Sequence, residues 1–175
     1  MMNPDAEHID HDIEPVFDEH SRVLLLGTFP SPKSREQGFF YGHPQNRFWK
    51  VLAGVLDAPE PQTIPEKKAL LLEHKIALWD VCQSCQIEGA SDASIRNPKP
   101  NDLGSILDNA PIQRIFCTGA KAAQLYRKLI EPQLGISCVQ LPSTSPANAA
   151  MRLPALIKAY REALLPYLDV KDERS

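Results

Sequence analysis

The chain has 175 residues, 43% apolar and 23% charged, with 19 Lys and Arg against 22 Asp and Glu for a net charge of −3. That length and balance fit one domain able to bury its own core, and they exclude a disordered or fibrous chain. The longest purely apolar stretches, Val23–Leu26 and Ala69–Leu72 among them, are too short to span a bilayer. The N-terminus lacks the basic start and apolar run of a secretory signal, so a cytoplasmic protein with four reduced cysteines is expected. Charge is divided unevenly. Residues 1–22 hold seven acids and one base, which leaves a net +4 on residues 23–168. The expected organisation is a flexible acidic leader over 1–21, one domain over 22–168 and a polar tail over 169–175. A mildly basic body permits nucleic-acid binding without demanding it.

In chain order, Arg22–Gly27 (RVLLLG) reads as a buried strand. Asn46–Asp57 reads as a helix with Phe48, Trp49, Leu52 and Val55 or Leu56 on one face. Thr63 and Glu66 have capping-box spacing ahead of a second helix through Lys67–His74. Lys75–Val81 is a strand, Asn101 caps a short helix to Asn109, and Gln113–Thr118 is a third strand. Ala120–Glu131 is helical, Ser137–Leu141 is a fourth strand, and Arg152–Leu165 closes the fold as a helix. Strands alternating with helices predict an α/β fold of three layers, α/β/α, around a four-stranded parallel sheet.

Prolines locate the site. Of 16 in the chain, Pro30 and Pro32 follow the first strand, and Pro142 and Pro146 follow the fourth. Open parallel sheets bind ligands in the crevice at the carboxyl ends of their strands, and rigid loops there favour a preformed site. The loop Gly27–Ser34 carries neither a dinucleotide fingerprint nor a P-loop, although Lys33 and Ser34 can touch a single phosphate. Between Phe39 and Trp49 the chain crowds five aromatics with His43, Asn46 and Arg47. Phe48 and Trp49 fit the core face of their helix, whereas Phe39, Phe40 and Tyr41 sit in a loop. Aromatic faces in a loop suit a planar ligand such as an extruded base. Asp80, ending the second strand, can accept hydrogen bonds from the ring N–H groups of a base, or it merely caps a loop. Asn46 is also a favoured helix N-cap residue.

Other chemistries find little support. Cys82-x-x-Cys85 is half of a zinc pattern, with Cys117 and Cys138 standing singly, so ordinary thiols are expected and no metal or cofactor. No serine has a histidine and aspartate arrangement suggesting a hydrolytic triad.

His43-Pro-Gln-Asn-Arg-Phe-Trp-Lys-Val51 resembles the uracil-DNA glycosylase superfamily, especially its mismatch-specific uracil/thymine glycosylases. The resemblance runs through Ile115–Gln124, the proline-rich loop and Leu156–Arg161, and it implies a four-stranded parallel sheet with flanking helices. Two departures stand out. Phe29 occupies the position of that group's first-loop catalytic Asn. Pro142-Ser-Thr-Ser-Pro-Ala-Asn148 replaces its second loop, with Ala147 at the position of the duplex wedge. Both departures match the hypoxanthine-DNA (deoxyinosine) glycosylase branch, whose motifs resemble Gly27-Thr-Phe-Pro-Ser31, Phe40-Tyr41 with Asn46, and Leu141–Ala147.

That branch implies a monomeric, cofactor-free repair enzyme acting on DNA, with Asn46 catalytic and Tyr41 stacking the base. Thr28 and Phe29 would meet the base edge beside Asp80. Ser31, Lys33, Ser143, Thr144, Ser145, Ala147 and Asn148 would contact DNA. The alternatives are a mismatch-specific uracil glycosylase, or a non-catalytic nucleic-acid-binding module on the same fold.

Overall fold

The computed structural model describes residues 7–11, 13–89 and 91–168, so the polar tail 169–175 and the first six residues of the leader lie outside the described residues. In chain order the elements are β1 (Glu7–Asp10), β2 (Val23–Gly27), α1 (Pro32–Gln37), α2 (Phe48–Leu56) and α3 (Ile64–Glu73). Then come β3 (Ile76–Asp80), β4 (Cys82–Ile87), β5 (Arg96–Pro100), α4 (Gly104–Leu107) and β6 (Arg114–Thr118). The chain closes with α5 (Ala120–Leu129), α6 (Glu131–Leu134), β7 (Cys138–Leu141) and α7 (Leu153–Leu168).

The four expected strands form a parallel sheet in the order β3-β2-β6-β7. Strand β2 is central and wholly buried, as its unbroken apolar run requires. Its side chains alternate between two cores. Val23 and Leu25 face Phe48, Leu52, Leu71 and Leu156, while Leu24 and Leu26 face Ala122, Leu125 and Tyr126. Helices therefore cover both faces, giving the three layers expected. Thr63 and Glu66 form the capping box at the start of α3.

Three expectations change. A second sheet, antiparallel in the order β1-β4-β5, lies beside the parallel one. Its β5 (RNPKP) contains two prolines and is mostly exposed, which an edge strand tolerates and a propensity reading misses. Asn101 caps no helix; its Nδ2 donates to the Asp80 carbonyl at 2.9 Å, and α4 begins only at Gly104.

The leader is the third. Its described residues, 7–11 and 13–21, are packed rather than loose. Strand β1 pairs with β4, Val16 and Leu78 exchange backbone hydrogen bonds of 3.0 and 2.9 Å, and the Trp79 indole donates to the Ile13 carbonyl at 2.9 Å. The physical reason is a set of apolar residues spaced among the acids: Ile13 and Val16 are buried, and Ile9 and Phe17 pack against a core. Counting charges hides them.

Candidate active site

The parallel register ends Gly27 opposite Asp80 and Thr118 opposite Leu141, so the loops after all four strands converge on one edge. There they enclose a cleft of about 580 Å³, large enough for a nucleobase. Its walls are the first loop (Thr28, Phe29, Ser31), the aromatic loop (Phe40, Tyr41, His43, Asn46), the strand end Asp80, and the last loop from Ser143 to Asn148. Every candidate residue read from the sequence lines this cleft except Lys33. That lysine sits exposed on α1, paired with Glu36 at 3.2 Å.

Tyr41 is held in three ways. Its backbone has φ +52°, a left-handed conformation that costs an aromatic residue energy and needs support from its surroundings. Phe48 stacks on its ring at a centroid separation of 4.1 Å. Its hydroxyl lies 2.7 Å from Thr118 Oγ1, which itself donates to the Leu26 carbonyl at 3.3 Å. Phe48 covers one face of the ring, leaving the other face and the edge as the parts that can line the cleft.

Glycine is required beneath this residue. A Cβ on Gly27 would lie 2.7 Å from Asp80 Oδ1 and 2.9 Å from the Tyr41 hydroxyl oxygen. The two side chains approach each other across the end of β2 only because that Cβ is missing. Asp80 is 4% exposed, and its Oδ2 has no hydrogen-bond partner among the described residues. Burial, and then the charge of Asp92, push its carboxyl up to about 7. Burial, and then the Asp80 charge, raise the Tyr41 phenol well above its ordinary value.

Asn46 has two roles at once. Its Oδ1 accepts from the Phe48 N–H at 2.9 Å, so it tethers the first turn of α2, and it also accepts from Thr144 Oγ1 at 2.8 Å while lining the cleft. Two donors on one carbonyl oxygen occupy both of its lone-pair directions. Thr144 is 1% exposed, so its hydroxyl faces Asn46 and is not available to a phosphate. Ser143 and Ser145 remain half-buried at the cleft wall, where their oxygens accept from the Ser145 and Ala147 N–H groups.

Three residues not singled out as site residues complete the geometry. Arg47 donates to the carbonyls of Met151 at 2.7 Å, Ser145 at 2.9 Å and Asn148 at 3.1 Å, and its backbone N–H donates to Thr144. It thereby pins the last loop to the aromatic loop. Asp92, from the turn between β4 and β5, adds a second carboxylate to the wall and accepts from the Thr28 side chain. Thr118 anchors Tyr41. The Arg47 role was within reach of the sequence, because an arginine beside two aromatics at a helix start needs partners; the Asp92 role depends on the unforeseen second sheet.

Phe29 lines the cleft, and its ring packs in the core. The ring meets His11 edge-on at 5.3 Å, and Arg35 lies over it at 5.7 Å. Cys82 and Cys85 are buried in β4, and burial pushes their thiols up to about 12 and about 11. Among the described residues no group of three or more His, Cys, Asp or Glu could hold a metal ion, and no helix is long and apolar enough to cross a membrane.

The chain has relatives in both sequence and fold. The chain is 33% identical over 134 residues to the hypoxanthine DNA glycosylase of Methanosarcina acetivorans, covering 76% of this chain and 84% of that protein. It is 32% identical over 136 residues to the hypoxanthine DNA glycosylase of Methanosarcina barkeri, covering 77% and 85%. A candidate uracil DNA glycosylase from Methanosarcina acetivorans, solved by solution NMR, superposes with a TM-score of 0.72 at 27% identity, over 87% of this chain and 97% of that one. The model of the uracil DNA glycosylase superfamily matches residues 14–168, and the chain belongs to that superfamily.

Proposed function

We propose that the protein is a DNA glycosylase that hydrolyses the N-glycosidic bond of a deaminated purine, hypoxanthine, after flipping it out of DNA. The observation that carries this reading is the meeting of Asn46, Tyr41 and Asp80 in one cleft at the strand ends. Two Methanosarcina relatives named hypoxanthine DNA glycosylase support the substrate. Phe29 supports it too, since its side chain lies in the core and cannot hydrogen-bond a water under a pyrimidine.

Hydrolysis passes through an oxocarbenium-like sugar, so a neutral amide need only position water and tolerate developing charge. Asn46 takes that role. The Phe48 N–H and Thr144 Oγ1 both hold its Oδ1, which fixes the plane of the amide for that role. Flipping costs a few kcal/mol, and stacking on Tyr41 returns about 1–3 kcal/mol. Thr28 and the Phe29 backbone meet the base edge. Ionised Asp80 accepts from N1–H of hypoxanthine, a donor that adenine lacks. Ser31, Ser143, Ser145, Ala147 and Asn148 face the flanking strand, and Lys33 reaches it from outside the cleft.

One observation favours a non-catalytic binding module instead: both lone pairs of Asn46 Oδ1 are already engaged. Matched oligonucleotides carrying inosine, uracil, xanthine or ethenocytosine, cleaved with alkali after incubation, separate the readings. Release of hypoxanthine ahead of uracil supports the proposal. Binding without release of any base supports the module.

A further inference from the structure

The cleft carries more negative charge than hypoxanthine can use. Asp80 lines its floor with Oδ2 unpartnered among the described residues, and the nearby amide of Asn101 is spent on the Asp80 carbonyl, not on the carboxyl. Asp92 stands at the wall, tethered by Thr28; Lys121 acts on Asp92, whereas what moves Asp80 is its burial and then Asp92 itself. A buried carboxylate without a donor or cation is costly, so the empty arrangement calls for a ligand that supplies one. Neutral hypoxanthine brings one N–H to this edge but no positive charge to set against Asp80 and Asp92 together.

We infer that the cleft also accepts purines carrying a fixed positive charge from N-alkylation, with Asp80 and Asp92 as the residues that select them; this rests on the glycosylase reading above. An N7-alkylated guanine offers N1–H and an amino group, a donor pair suited to carboxylate oxygens, together with the charge. The ring face of Tyr41 not covered by Phe48 attracts a cation. Normal guanine has the same donors without the charge, so charge is the discriminating property.

The chemistry balances without an added reagent. Water oxygen bonds to C1′ and the C1′–N9 bond breaks. Its electron pair enters the purine and cancels the charge, so the base leaves neutral, and the proton lost by water goes to solvent. No proton need be delivered to the leaving base, whereas hypoxanthine leaves as an anion unless it is protonated.

The test uses the full chain and three duplexes of one sequence, carrying a single N7-methylguanine, inosine or guanine. The expected result is release of N7-methylguanine well above the enzyme-free rate, with guanine retained. Asp92→Asn should lower kcat/KM for N7-methylguanine about fivefold more than for inosine, as removal of a partly screened charge implies. Asp92 is exposed at a turn, so this variant is expected to fold, and circular dichroism verifies it. Release of inosine with N7-methylguanine at the enzyme-free rate overturns the inference alone. Equal falls for both substrates in Asp92→Asn also overturn it. Release of neither base overturns the glycosylase reading on which it rests.

Discussion

Thr144 Oγ1 lies 2.8 Å from Asn46 Oδ1, joining two loops that are 98 residues apart in the chain. The bond sets the plane of the amide before DNA arrives, and Arg47 holds the backbone on both sides of it. Preorganisation of this kind acts on the chemical step more than on binding. Thr144→Val should lower kcat for base release about tenfold with little change in KM, and Thr144→Ser should restore it. Single-turnover kinetics check this. A faster Thr144→Val variant would mean that the hydroxyl merely blocks the oxygen.

Arg47 is the mechanical link between the loops. Lysine keeps the charge but lacks the planar fork that serves three carbonyls at once. Arg47→Lys should destabilise the fold by about 2 kcal/mol, given the strength of hydrogen bonds from a charged donor. Base release should slow as well. Urea unfolding measures the first effect, and an unchanged midpoint would show that the last loop holds its shape unaided.

Asp80 gives a signed pH dependence. Its carboxyl is raised to about 7 in the folded protein, above an ordinary value near 4, so the fold binds more protons than the unfolded chain between those limits. Its contribution is therefore most favourable below pH 4 and is lost as pH rises through 7. Asp80→Asn should stabilise the protein at pH 8 by on the order of 3 kcal/mol and add almost nothing at pH 4. Inosine release by the parent should rise through pH 7 as the acceptor ionises, and this rise should vanish in Asp80→Asn. Thermal unfolding at the two pH values, with pH–rate profiles, tests both statements.

The leader yields a simpler prediction. Ile13 and Val16 are 8% and 6% exposed; Val16 bridges to Leu78 of β3, and the Ile13 carbonyl accepts from Trp79 of the same strand. Ile13→Ala and Val16→Ala should each cost about 2 kcal/mol, the scale for truncating a buried aliphatic side chain. Equilibrium unfolding of both variants checks it. Midpoints equal to the parent would mean that the segment adds nothing to the fold.

Much of this architecture could be read from the residues, for reasons that differ by element. The run Val23–Leu26 is apolar at every position, which a central parallel strand demands, and the Thr63–Glu66 spacing marks a helix start by chemistry alone. The cleft was legible because proline-rich loops after the first and fourth strands had to meet at one end of such a sheet. What escaped reading depends on distant partners. Strand β5 contains two prolines and pairs only because β4 lies beside it. The leader packs through a few apolar residues within a strongly acidic segment. The Thr144 hydroxyl looked like a phosphate contact until its burial against Asn46 was visible. Asp92 enters the cleft only through the turn that joins β4 to β5.

The most direct measurement is single-turnover excision from one duplex carrying inosine, uracil or adenine at the same position, by the parent and by Asn46→Ala, with DNA affinity measured alongside. Hypoxanthine should be released fastest, uracil more slowly and adenine not at all. Asn46→Ala should be slower by roughly a hundredfold or more while binding persists, the scale of losing one positioned group in the transition state. Hypoxanthine release by Asn46→Ala at the parental rate, or binding by the parent without release of any base, would contradict a catalytic Asn46.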